Sequence, residues 1–520
     1  MLKNSFLFKG KYLIASLVLI LIFFFYSAYI FLYAYDGHHH GLIYSNAKDL
    51  IEGRAPYKEI FIQYGLLTTL IHSSIILIFG ENIYYINLIN ILIYSLSIFL
   101  IYKVTEKLVN SFYGLLAVLL ILANHPIPWL PWSNYISFFF ILLALFFYIN
   151  NYKYSYASAG VFFAFACLSR QDYFIPIFTT FVSFFFISFF YWNKNIKKYI
   201  KVFIFFLLTI FIFIFFLMVF DLFNNWLNYF NLQSIYLEKS QLSILNYLYE
   251  YLLFFFTTAL TNFINLPQYF LIFLILLSSV FYIFFSKKYN NTILLFISIL
   301  SISLSAVSIN LELFRLYSSV SVGVIVLLFL ISKIKFIDYR KFCIFLLLFV
   351  SLFSFYFYPK GNNNSFKKID TDIRYEVSKI DIFKFQRWPQ KINEPLLKYY
   401  QLQKTILENC KIEYAENLTF NNYFTNISIL KRIKLIPHIG SDVKNSLLTT
   451  FFEEDFILNI NNEILKQNIL ILVEHNNDKY EFGDINFTTD YTYSKINLND
   501  NQNKPQPIKL YYPSKCLLKS

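Results

Sequence analysis

Along the first 358 residues, long apolar runs alternate with short polar joints. The runs cover 12–34, 83–102, 111–124, 133–149, 155–168, 173–191, 202–220, 268–286, 291–309, 315–332 and 341–358. Many approach the length of about 20 apolar residues that crosses a ~30 Å hydrocarbon core, so each predicts a spanning helix. The run 66–79, LLTTLIHSSIILIF, is shorter and carries Thr68, Thr69, His72, Ser73 and Ser74. It predicts a helix that lies along or dips into one face without crossing. The run 251–266, interrupted by Asn262 and Asn265 and closed by Pro267, is demoted in the same way. From Pro359 the pattern changes. GNNNS (361–365) reads as a linker, and the polar segment beyond it predicts helices over 395–409 and 441–452 and a buried strand over 468–474. The expected fold is therefore an all-α polytopic membrane domain (1–359, about eleven transmembrane helices) followed by a small soluble α/β domain (360–520).

Lysine and arginine decide the orientation. Lys3, Lys9, Lys11, Lys103, Lys107, Lys153, Lys194, Lys197, Lys198, Lys201, Lys287, Lys288, Lys333, Lys335, Arg340 and Lys341 fall on one predicted side. The opposite connections carry only Lys48, Arg54, Lys58, Arg170, Lys239 and Arg315. By the positive-inside rule the N-terminus is cytoplasmic and the C-terminal domain lies outside. If 66–79 crossed, every later loop would invert. The apolar share of 57% and the mean hydropathy of +0.52 agree with an integral membrane protein. The net charge of +13 fits lysine-rich inner loops, so no nucleic-acid partner is expected. Cys410 and Cys516 lie in the polar tail and could pair in an oxidising compartment.

Polar chemistry gathers in the first outer loop, 35–65, which runs directly on from the first helix. It holds Asp36, His38, His39, His40, Arg54, Tyr57, Lys58, Glu59 and Tyr64, punctuated by Gly37, Gly41, Gly53, Pro56 and Gly65. Asp36 reads either as a solvated loop carboxylate or as a reactive acid. The three histidines read as surface residues, as hydrogen-bonding partners of a sugar or phosphate or supports of Asp36, or, with Asp36, as ligands of a divalent metal. Adjacent histidines diverge in a helix or strand, so at most two could serve one ion, and no metal is assigned. A second cluster, Arg170-Gln171-Asp172, closes an apolar run. It is either an ion pair between two helices or an arginine fork for a lipid-linked phosphate. Arg315, near Glu312, admits the same two readings. In 124–135, prolines and tryptophans suit an interfacial anchor or a sugar-stacking wall. No phosphate-binding GxxxxGK[ST] loop, HExxH or CxxC is present.

With these residues in view, the chain resembles the GT-C class of integral-membrane glycosyltransferases, which includes protein O-mannosyltransferases and aminoarabinose transferases. The resemblance rests on Asp36 after the first helix, the surface helix 42–52, Gly53-Arg54-Ala55-Pro56-Tyr57, and Tyr64-Gly65-Leu66-Leu67. Leu66 replaces the proline usual in the last element, and Gly37 stands where many members carry a second acid. The resemblance implies a polyprenyl-phosphate sugar donor, a lipid or glycan acceptor, hexosyl or pentosyl transfer with inversion, and a periplasmic site in a bacterial inner membrane. Asp36 would be the general base. His38, His39, His40, Arg54, Tyr57, Tyr64, Arg170, Gln171, Asp172 and Arg315 would contact substrate. The alternatives are a lipid-linked glycan polymerase or ligase, and a non-catalytic transporter or flippase.

Overall fold

The computed structural model describes residues 2–33, 37–60, 62, 64–124, 131–150, 152–191, 196–227, 267–289, 291–305, 316–361, 375–412, 414–417, 458, 461–474, 490–499 and 505–516. The first helix, α1 (Leu2–Phe31), is followed by α2 (Gly37–Ile51) and α3 (Leu66–Phe79), and then by α4 (Ile83–Leu108), which runs back along α1. Ring contacts trace this antiparallel pairing, with Phe31 against Tyr84 and Phe23 against Tyr94, while Tyr12 near the start of α1 meets Phe112 just beyond α4.

The bundle continues with α5 (Ser111–Asn124), α6 (Ser133–Asn150), α7 (Ser155–Ser169), α8 (Phe174–Tyr191) and α9 (Lys197–Val219). Four further helices follow, α10 (Pro267–Tyr289), α11 (Thr292–Ser305), α12 (Tyr317–Ser332) and α13 (Ile337–Gly361). Each expected spanning run coincides with one of these helices. Among the described residues, five stretches are long and apolar enough to cross a membrane: Gly10–Phe31, Ile83–Leu108, Ser133–Asn150, Gln171–Phe189 and Lys197–Val219. The shorter α11 and α12 are buried almost all round, because they pack against each other, α10 and α8 in the interior. The lipid-facing role falls to helices whose large apolar side chains stand exposed, such as Ile22 and Phe25 of α1, Phe211 and Phe215 of α9, and Phe284 of α10. Such a belt is unstable in water and suits hydrocarbon.

The C-terminal part contains α14 (Gln390–Cys410), with β1 (Tyr375–Val377) antiparallel to β2 (Arg387–Pro389). A second sheet is built from β3 (Tyr414–Asn417), β4 (Ile469–Glu474), β5 (Tyr491–Asn499) and β6 (Pro505–Pro513), in the order β3-β4-β6-β5. The strand expected over 468–474 is β4, parallel to β3 and antiparallel to β6. Its Ile469, Leu470 and Ile471 are fully buried, which explains the unbroken apolar run that marks it in sequence. The helix expected over 395–409 is α14, which starts earlier; the run 441–452 lies outside the described residues. Cys410 and Cys516 form a disulfide that ties the end of α14 to the turn after β6.

This C-terminal part is seated on one end of the bundle. The Arg387 amide donates to the Leu32 carbonyl at 2.6 Å, and Asn82 Nδ2 donates to the Asp381 carbonyl at 3.1 Å. Phe385 packs on Tyr84 and Tyr85. Ile380, Phe383, Trp388 and Tyr400 share one apolar cluster with Phe31, Ile43, Tyr44, Ile75 and Ile83. The end of α1 and the start of α4 therefore meet the same surface. The excursion through α2 and α3 begins and ends at that surface.

Candidate functional site

Beyond α2 the chain makes a tight turn built from its own side chains. Gly53, at φ +84°, closes the helix with a conformation L-residues rarely adopt. Buried Arg54 pairs with Asp49 at 3.4 Å, so two charges in a dry position satisfy each other. Glu59 accepts from the Ala55 amide at 2.8 Å, and the Tyr57 amide donates to the Ile60 carbonyl at 3.0 Å. Tyr57 itself sits at φ +62°, a strained choice for an aromatic residue. That strain carries its phenol onto the second polar cluster, where it accepts a hydrogen bond from Gln171 Nε2 at 3.3 Å. Burial pushes the Tyr57 phenol upward, so it remains a neutral hydroxyl.

The loop then docks on the end of α7. The Gln171 amide donates to the Tyr64 carbonyl at 3.0 Å, and the Thr68 hydroxyl donates to the Ser169 carbonyl at 2.7 Å. Gly65 lies so close that a Cβ there would meet the Leu168 carbonyl oxygen and stand 2.6 Å from the Ser169 carbonyl carbon. A glycine is required because backbone touches backbone. The buried guanidinium of Arg170 stacks 5.3 Å over the Tyr64 ring. Its Nε donates to both oxygens of Asp172, at 2.7 and 2.8 Å, and Nη2 lies 2.6 Å from Oδ2. Burial disfavours the arginine charge, but Asp172 outweighs it and pushes the guanidinium pKa upward. Asp172 keeps a third of its side chain exposed, so the pair opens towards solvent on the carboxylate side.

Tyr57, Tyr64, Arg170, Gln171 and Asp172 are thus gathered into one cluster, although more than a hundred residues separate the two segments. Arg54 is held instead by Asp49. The three histidines lie in the first turn of α2, which begins earlier than the expected 42–52 helix. His40 is buried and stacks on Phe31 at 5.4 Å, turned towards α1. Asp36, Arg315 and the side chains of His38 and His39 lie outside the described residues. Among the described residues no three His, Cys, Asp or Glu side chains could hold a metal ion. Asp49 and Asp172 are committed to arginines, and Glu59 accepts from the Ala55 amide.

Sequence reading alone did not find the docking of Thr68 on Ser169, nor the buried amides of Asn87 and Asn134. These stand near the starts of α4 and α6 with neither oxygen nor nitrogen bonded. The signal for Asn87 was available: Asn87, Asn90 and Tyr94 form one stripe at helical spacing. α2 and α3 pack together over this site. Ser73 donates to the Ala47 carbonyl at 3.0 Å, and Tyr44 donates to Glu81 at 3.0 Å.

No family model matches the chain, and no curated protein matches it in sequence. Solved structures do match in fold. ArnT from Cupriavidus metallidurans bound to undecaprenyl phosphate aligns at a TM-score of 0.51 and 9% identity, over 96% of this chain and 97% of that one. The fold is that of the GT-C glycosyltransferases. The oligosaccharyltransferase of Archaeoglobus fulgidus, in complex with zinc and sulfate, aligns at 0.52 and 13% identity, over 88% of this chain and 68% of that one. The same enzyme tethered to an acceptor peptide aligns at 0.51 and 12% identity, over 94% of this chain and 74% of that one. The expected resemblance to this class therefore holds at the level of fold, and it extends through the C-terminal part.

Proposed function

We propose that this chain transfers a hexosyl or pentosyl group from a polyprenyl-phosphate carrier to a lipid or glycan hydroxyl, on the face that bears the first loop. The observation that carries the reading is the docking of that loop on Ser169–Asp172, with a buried arginine between an aromatic face and a carboxylate. In a chain with this fold, whose solved neighbour ArnT holds undecaprenyl phosphate, a buried guanidinium at the loop end is suited to a lipid phosphate.

The chemistry follows from the groups present. The acceptor oxygen attacks the anomeric carbon, and the bond from that carbon to the phosphate oxygen breaks. The electron pair leaves with the phosphate, whose growing charge Arg170 stabilises through the N–H groups not spent on Asp172. The acceptor proton passes to the Asp36 carboxylate, a base suited to taking it late in the step. Tyr57 and Gln171 brace the loop against the arginine and so fix where the phosphate sits. The lysine bias puts this face on the periplasmic side of an inner membrane, where the disulfide would also persist.

The test uses the full chain in nanodiscs with a panel of undecaprenyl-phosphate hexoses and pentoses, reading the release of undecaprenyl phosphate by mass spectrometry. Asp36→Asn should abolish release while leaving expression and membrane insertion intact. Wild-type turnover in Asp36→Asn would remove the base assignment. Failure of the wild-type chain to bind any polyprenyl phosphate would overturn the transferase reading.

A further inference from the structure

A small niche lies beside Tyr64 and Gly65. It is lined by Ile43 and Asn46 of α2, by Ile62, Tyr64 and Gly65 of the loop, and by Thr68, Thr69 and His72 of α3. His72 is 1% exposed, and neither ring nitrogen has a hydrogen-bond partner. Burial alone drives its pKa down to about 3, so the ring is a neutral imidazole with one N–H donor and one bare acceptor nitrogen. The Thr68 hydroxyl hydrogen is already given to Ser169, so that oxygen offers the niche only lone pairs.

These constraints select the occupant. Among the described residues no charged side chain lines the niche, so neither an anion nor a metal ion would repay its desolvation there. A dry niche would leave two buried nitrogens unsatisfied, each at a cost comparable with a lost hydrogen bond. A hydroxyl can accept from the imidazole N–H or donate to its bare nitrogen, so one small group of this kind meets whichever edge of the ring it reaches, in either tautomer.

Building on the transferase reading above, we infer that this niche is a binding site for one uncharged hydroxyl, with His72 as its receptor. Two sources share that chemistry, a sugar hydroxyl of the substrate and an ordered water. Tyr64 couples the niche to the Arg170 cluster, since it lines the niche and its ring lies under the Arg170 guanidinium.

The experiment compares the full-length wild type with His72→Gln, which keeps a donor and an acceptor, and His72→Leu, which keeps neither. Affinities are measured for bare undecaprenyl phosphate and for undecaprenyl-phosphate glucose and undecaprenyl-phosphate arabinose, alongside thermal unfolding. If a sugar hydroxyl enters the niche, His72→Leu weakens at least one sugar-bearing lipid about tenfold and spares the bare lipid, and His72→Gln restores binding. If water enters, all lipids bind the variants alike, His72→Leu lowers the unfolding temperature, His72→Gln recovers it, and wild-type density shows one water in the niche. Either result supports the site. The inference is overturned if His72→Leu is at least as stable as wild type and binds every lipid with wild-type affinity. If no polyprenyl phosphate binds even wild type, the transferase reading fails, and the stability comparison still judges the niche.

Discussion

Replacing Gly65 by alanine tests the contact on which the site is built. The added methyl would overlap the Leu168 carbonyl oxygen and lie 2.6 Å from both the Ser169 carbonyl carbon and oxygen. These are backbone atoms at the end of a buried helix, and they cannot turn aside as a side chain would. Overpacking at such a contact costs about 1–3 kcal/mol. The displacement would also break the Gln171 to Tyr64 and Thr68 to Ser169 hydrogen bonds, each contributing about 1 kcal/mol. The docked loop is thereby disfavoured by about 3–5 kcal/mol, or at least a hundredfold in population, since 1.4 kcal/mol is about tenfold. Hydrogen exchange reads this directly, because the Gln171 amide is protected by its bond to Tyr64. Its exchange should accelerate about a hundredfold in Gly65→Ala, and sugar transfer should fall in parallel. Gly10→Ala is the control, since nothing lies within 4 Å of a Cβ there. Wild-type protection of Gln171 in Gly65→Ala would refute the docking.

Three further predictions concern the same region. Arg170→Lys should lose most transfer activity, since a point charge cannot replace the fork, whereas full activity in the double variant Arg170→Gln, Asp172→Asn would show that the pair serves only structure. Stability should decline as pH falls below the usual histidine value of about 6.5, by at most ~1.4 kcal/mol per unit, because buried His72 binds its proton only near 3 while the unfolded chain binds it near 6.5. His72→Gln should flatten that decline, and an unchanged pH profile would remove the histidine as its cause. Glu81→Cys should react with an impermeant thiol reagent from the periplasmic side; labelling only after the inner membrane is opened would show that α3 crosses.

The chain order of apolar and polar residues was enough to locate the helices, because each needs its own run of about 14–20 apolar residues to be buried in lipid or protein. The one strand read from sequence was legible for the same reason, since Ile469 to Val473 has no polar face. Lysine placement could also set a parity against a crossing at 66–79, and the structure carries α1 and α4 to one surface on Arg387 and Asp381. Arg170 and Asp172 stood out as charges at membrane depth, which are costly enough to be noticed. What they do was not legible. A guanidinium two residues from a carboxylate can cap a helix or clamp a phosphate, and only the arrival of Tyr64, Gly65 and Thr68 from a hundred residues away distinguishes the sites available to it. The same holds for His72, which in sequence is one polar residue in a greasy run. Its meaning comes from the helices and loop that enclose it, because desolvation and unmet hydrogen bonds are properties of a packed environment and not of the residue itself.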